Sequence, residues 1–173
     1  MKKIRAGLVF SALTTALLGA CATPAMDPMA SADLQPRSGS AVSGKVTFAE
    51  SNGRLRVDAQ VAGLTPGEHG FHIHEVGDCS ATDASSAKGH FNPTGKAHGH
   101  HAGSEHHGGD MPNLVANAAG EAHFSAEIDG LSLSGMTGVI GRSVVIHADP
   151  DDYKSQPAGN SGKRIACGVI VAQ

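Results

Sequence analysis

The chain has 173 residues, 40% of them hydrophobic, and a formal charge of −3 from 13 Lys+Arg against 16 Asp+Glu. That length holds one domain with one packed core and leaves no room for a second of ordinary size. With 23 glycines, 11 histidines, 3% aromatics and no tryptophan, the composition argues against a helical bundle and for bound metal, and the acidic balance argues against a nucleic-acid partner.

Lys2, Lys3 and Arg5 precede an apolar stretch from Ala6 to Leu18 that is too short to remain as a membrane-spanning helix. Residues 1–20 read as a secretory leader. The leader ends in LGAC, which resembles a lipobox: Cys21 would become the first residue and carry the lipid that holds the protein to a membrane. The alternative is a leader removed without lipidation, leaving a soluble periplasmic protein. Loss of residues 1–20 takes three cations and no acidic residue, so the formal charge moves to −6. Residues 21–40, with Pro24, Pro28 and Pro36 among small and polar residues, are expected as a flexible tether, and residues 41–173 as the domain.

Within the domain, Val42 to Phe48 and the alternating Leu55, Val57, Ala59 and Val61 read as two strands joined by an Asn52-Gly53 turn. Pro66-Gly67 marks another turn, and Phe71 to His74 reads as a strand. From Val76 to about Asn113 the periodicity disappears, and a loop of that length in a small domain is usually functional or disordered. Strand patterns return at Ala122–Ile128, around Leu131–Leu133, at Ser143–His147 and at Ile165–Val171, with a second irregular loop from Ala148 to Lys163. Short strands without a convincing helix indicate an all-β sandwich or barrel.

His72 and His74 are two apart on a predicted strand, so both imidazoles leave the face opposite Phe71 and Ile73. Alone, such a pair also fits two surface histidines. The long loop adds His90, His98, His107 and Asp110, and His147 ends a later strand. Export to an oxidising compartment would leave Cys79 and Cys167 as a pair once Cys21 carries lipid.

The strings GFHIHEVGDC (70–79), GHFNPTGKAHG (89–99), HGGDMPNL (107–114), GRSVVIHADPDD (141–152) and GNSGKRIACGVI (159–170) resemble the copper-zinc superoxide dismutases, and more the bacterial envelope members than the cytosolic ones. The resemblance covers roughly residues 42–173. It implies a Greek-key antiparallel β-barrel or sandwich with long metal-binding and electrostatic loops, an enzyme that disproportionates superoxide to oxygen and hydrogen peroxide and so protects the envelope, and copper and zinc as cofactors. It assigns copper to His72, His74, His90 and His147, and zinc to His90, His98, His107 and Asp110. His90 would also act as a proton carrier. It implies that Asp151, or Asp152 if the loop is shifted, links His72 to His98, that Arg164 orients superoxide, and that Cys79 and Cys167 form a disulfide worth on the order of 4 kcal/mol. It admits a homodimer.

The chemistry requires these residue types. Imidazoles suit both oxidation states of copper, and three histidines with one carboxylate close a zinc site. His69 is expected to pack without binding metal, and His123 to lie on a strand surface. His100, His101 and His106 read either as solvated loop or as an accessory metal-gathering group. The loop from Asp152 to Arg164 is shorter than in cytosolic members, with only Lys154 and Lys163 left for steering, and Ala158 stands where many members have threonine. A non-catalytic copper-buffering protein is the main rival; it would need neither Arg164, Asp151 nor His147.

Overall fold

The computed structural model describes Met1 and residues 29–173. In the described residues the strands are β1 (Ala30–Pro36), β2 (Ser43–Ser51), β3 (Arg54–Ala62), β4 (Gly67–His69), β5 (Phe71–His74), β6 (Leu114–Ala116), β7 (Ala122–Ile128), β8 (Ser143–His147), β9 (Arg164–Val169) and β10 (Val171–Ala172). One 3-10 turn, Ser85–Ala87, is the only helical element among them. The leader and Cys21 lie outside the described residues.

β2 and β3 pair along their whole length around the two-residue turn Asn52-Gly53, whose positive φ angles of 54° and 75° match the twist of a tight hairpin. The main sheet is antiparallel in the order β5-β8-β9-β1-β2-β3-β7, with β10 also pairing β1. It curls into an incomplete barrel. The β4-β6 ribbon spans the gap, since β4 runs through Gly70 into β5 at one end and β6 packs beside β7 at the other. Inside sit Leu34, Val46, Phe48, Leu55, Phe71, Ile73, Leu114 and Ile146, all essentially inaccessible, with Phe71 edge-on to Phe124 at 5.2 Å. Each large side chain buried this way contributes roughly 1.5–3 kcal/mol.

Two expectations need correction. The sequence pattern predicts a tether as far as residue 40, yet Ala30–Pro36 forms β1 in the middle of the sheet, with Ala30, Ala32 and Leu34 buried. Its inward residues are mostly small, and Pro36 sits at the strand end, so burial and pairing with β2 and β9 override a weak local pattern. Leu131–Leu133 is a loop rather than a strand, bridged at Ser132 to Gly138 and bonded through its backbone to Thr137, Val139 and Ile140, with the Leu133 N–H donating to the Glu50 carboxylate.

The long loop is tied to the open edge of β5. The Ile73 N–H donates to the Gly109 carbonyl, Phe91 N–H to the Ile73 carbonyl and Gly109 N–H to the Phe91 carbonyl. A side chain at Gly109 would run into the Ile73 carbonyl, so only glycine lets the loop approach this closely. Bridges His72–Asp110 and His74–His90 follow from this apposition.

Candidate metal centre

β5 sends Phe71 and Ile73 into the core and His72 and His74 to the opposite face, where the loop closes over them. His147 comes from the end of β8, which pairs with β5, and His90 from the loop segment bridged to His74. One donor nitrogen from each of His72, His74, His90 and His147 lies within 4.8 Å of the others, and His90, His98, His107 and Asp110 form a second group equally close. His90 belongs to both.

Asp110 organises the second group. Its Oδ2 accepts the backbone N–H groups of Gly99 at 3.1 Å and His107 at 2.8 Å. That fixes Oδ1 opposite Nδ1 of His90 (2.8 Å), His98 (3.0 Å) and His107 (3.5 Å). Donors on a tetrahedral ion with zinc-type bond lengths would be roughly 3.3 Å apart, which these separations suit.

Buried polar atoms are almost always hydrogen-bonded. Here Nδ1 of His72, His98 and His107 and Nε2 of His74, His90 and His147 are buried without a partner. In five of these rings the other nitrogen is engaged: His72 Nε2 with Asp151, His74 Nδ1 with the Lys88 carbonyl, His90 Nδ1 with Asp110, His98 Nε2 with Asp151, and His147 Nδ1 with the Gly162 carbonyl at 3.4 Å. A ring fixed through one nitrogen and presenting the other is the arrangement that metal-binding histidines adopt. The donor set fits a copper and a zinc ion.

Asp151 joins the two groups, with Oδ2 2.8 Å from His72 Nε2 and Oδ1 3.0 Å from His98 Nε2. Asn113 holds it from behind, accepting the Asp151 N–H at 3.0 Å and donating to its carbonyl at 3.1 Å. Gly159, at φ 67°, packs against this link, where any Cβ would collide with Asp151 Oδ1. Asp152 instead caps the next turn through the N–H groups of Lys154 and Ser155.

Burial, opposed by Asp151, lowers the His72 pKa to about 4. Burial and neighbouring imidazoles hold His74 and His147 well below the ordinary range. These rings are therefore neutral, with lone pairs available. Burial opposes charge on His98 too, but Asp110 and Asp151 outweigh it and raise the pKa to about 9. Burial favours the neutral forms of Asp110 and Asp151, yet the histidines bonded to them hold both carboxyls well below their usual range.

Arg164, half-buried at the start of β9, donates to the carbonyls of Ala84 (2.7 Å) and Lys88 (2.6 Å). The Lys88 carbonyl is the same one that holds His74, so the guanidinium and the first group share an anchor. Ala84 and Lys88 both have positive φ, 57° and 63°, an uncommon backbone for non-glycine residues that aims their carbonyls at Arg164. The Cys79–Cys167 disulfide, with Cα atoms 5.8 Å apart, ties this loop to β9.

His69 is buried and bonded to the His147 carbonyl and to Thr65, and His123 is exposed on β7. His100, His101 and His106 lie outside both groups. The Gln156 side chain, which grips the His98 backbone, Asn113 behind Asp151, and the Ala84 and Lys88 carbonyls on Arg164 are holds that no sequence pattern marks; only Asn113 lies in one of the distinctive strings, HGGDMPNL.

The profile described as copper/zinc superoxide dismutase (SODC) matches residues 42–170. A superoxide dismutase [Cu-Zn] of Deinococcus radiodurans is 43% identical over 167 residues, covering 90% of each chain. An extracellular superoxide dismutase [Cu-Zn] of Brugia pahangi is 38% identical over 75% of this chain and 69% of its own. Among solved structures, the clock protein EA4 superposes with a TM-score of 0.77 at 38% identity, over 88% of this chain and 99% of that one.

Proposed function

This chain belongs to the copper/zinc superoxide dismutase family, and on that premise we propose that it disproportionates superoxide in a bacterial cell envelope, with copper at His72, His74, His90 and His147 and zinc at His90, His98, His107 and Asp110. The observation that carries this reading is the convergence of six unpartnered buried imidazole nitrogens, flanked by an arginine.

Two superoxide anions and two protons yield one oxygen and one hydrogen peroxide. Copper supplies a centre that alternately takes and gives one electron, while zinc supplies fixed positive charge. Arg164 attracts the anion and orients it through the N–H groups not taken by Ala84 and Lys88. His90, shared by both groups, would carry a proton on Nε2 to the peroxide product only while that nitrogen is not serving as a copper donor. Asp151 keeps His72 and His98 in the tautomers that leave Nδ1 of each free.

The location rests on the leader pattern, on LGAC before Cys21 and on the disulfide, which suits an oxidising compartment. Lipid on Cys21 anchors the protein to a membrane facing the periplasm. A homodimer is part of the proposal, for which the exposed Met29, Ile140 and Val171 offer apolar surface. Protein isolated from cells producing the full chain should contain copper and zinc, consume superoxide and sediment at twice the chain mass. Cys21→Ser should leave it unlipidated with its metals retained. Metals without superoxide consumption would instead mark a copper-holding protein.

A further inference from the structure

Tyr153 is the one tyrosine of the chain, and it stands where a side chain of that size is unexpected. Its φ is 58°, in the left-handed region that glycine enters freely and a bulky residue enters at a cost. Such strain collects at functional sites, where the surrounding contacts enforce it.

Those contacts converge on Asp151. The Tyr153 N–H donates to Asp151 Oδ1 at 2.7 Å, the same oxygen that meets His98 Nε2 at 3.0 Å, while Oδ2 faces His72. The phenol oxygen accepts the Asn113 N–H at 2.8 Å, and Asn113 is the residue whose side-chain amide clasps the Asp151 backbone by both its N–H and its carbonyl. One tyrosine therefore grips the carboxylate directly through its backbone and indirectly through its hydroxyl. Asn113 is buried, so without the phenol oxygen its N–H loses the partner the structure gives it, at a cost. Burial, outweighing the Asn113 N–H, raises the phenol pKa above its ordinary value, so the acceptor is the neutral hydroxyl. The ring also packs edge-on against exposed His100, with centroids 4.7 Å apart.

We propose that Tyr153 is a positioning residue for the zinc group: its hydroxyl and its N–H hold the Asp151 carboxylate turned so that Oδ1 stays on His98 Nε2, which keeps His98 Nδ1 presented to the ion. A carboxylate turns about a single bond, and Oδ1 meets two donors where Oδ2 meets one, so the His98 side is the end that Tyr153 pins. Loss of the hydroxyl releases Asn113 and loosens Asp151 from behind. Zinc then weakens more than copper, because His98 belongs to the zinc group alone and His72 keeps its own contact with Oδ2. Glycine would suit the backbone at this position better than tyrosine does, which sets the conformational preference of the residue against the work of its side chain and lets the two be separated.

The proposal rests on the copper and zinc reading, and its test separates the two. Full-chain protein carrying copper is titrated with Zn(II) against a chromophoric chelator, and in parallel with Co(II), whose visible bands report the geometry of the donors around it. Tyr153→Phe should weaken zinc by about three- to tenfold, no more than the lower end of what direct partners of metal ligands contribute, and should shift the Co(II) bands, with copper content near wild type. Tyr153→Gly should weaken zinc at least as much although its backbone is relaxed. His100→Ala, which removes only the ring contact, should leave zinc affinity and the Co(II) bands unchanged. Tyr153→Phe protein with wild-type zinc affinity and wild-type Co(II) bands overturns the proposal, whatever its stability, and so does His100→Ala protein that reproduces the loss. Wild-type protein that takes up no zinc overturns the reading beneath it.

Discussion

Gln156 and His98 are bonded to each other in both directions: the Gln156 side chain donates from Nε2 to the His98 carbonyl at 2.8 Å and accepts the His98 N–H at Oε1 at 3.0 Å. This amide clamp fixes the backbone from which the His98 ring reaches Asp151 with one nitrogen and the proposed zinc group with the other. Gln156→Ala should weaken zinc about tenfold, the lower end of what outer partners of metal ligands contribute, with a smaller effect on copper. Gln156→Glu keeps an acceptor but loses the donor and should fall between. Competition with a chromophoric chelator measures it; unchanged zinc affinity would show the clamp to be irrelevant to the metal.

His147 and Asp110 separate the two ions. His147 lies only in the first group and Asp110 only in the second. His147→Ala should remove most copper and activity while retaining most zinc, and Asp110→Ala should lose zinc first. Metal analysis of purified variants decides it, and equal loss of both ions from His147→Ala would mean that ligands have been assigned to the wrong metals.

Arg164 acts on the anion. Arg164→Ile should lower turnover about tenfold or more, within the range that electrostatic guidance gives, with copper content near wild type. Arg164→Lys should lie between, because an ammonium keeps the charge and loses the planar fork. Rising salt should slow the wild type more than the Ile variant. Superoxide decay followed across ionic strength checks this, and full activity with unchanged salt dependence in Arg164→Ile would remove the guiding role.

The Cys79–Cys167 bridge spans a sequence separation of 88, a closure worth about 4–5 kcal/mol in the chain-entropy model. Cys167 is inaccessible and packs with Val145 and with Ala84 and Ala87, the latter two from the loop segment whose Ala84 and Lys88 carbonyls hold Arg164. Replacing both cysteines by serine should lower stability by about that amount in denaturant unfolding, and should depress activity beyond the loss of metal. A double variant as stable as wild type would place the bridge outside the stability of the fold.

Much of this architecture was legible in the sequence where local pattern and tertiary demand agree. The Asn52-Gly53 hairpin, the two-residue spacing of His72 and His74 and the strand at Ala122–Ile128 follow from period-two alternation and turn chemistry, and the strand at Ser143–His147 from its short continuous apolar run. β1 was not, because its buried face is Ala30, Ala32 and Leu34 and its partners come from distant parts of the chain. β4 and β6, at three residues each, are too short to show a period. The ligand groupings were suggested by family resemblance rather than by spacing. Gln156 and Asn113 carried no signal of their clamping contacts, since an amide that meets backbone 58 or 38 residues away leaves no local trace.

The most direct test is the second-order decay of superoxide, generated by pulse radiolysis, over one preparation carried through three states: as isolated, stripped of both metals, and reloaded. The account predicts rapid decay as isolated, loss on stripping, no recovery with zinc alone, and recovery when copper is added to the zinc-loaded protein. Protein that binds both ions at the expected sites and still leaves superoxide to decay at its spontaneous rate would contradict it.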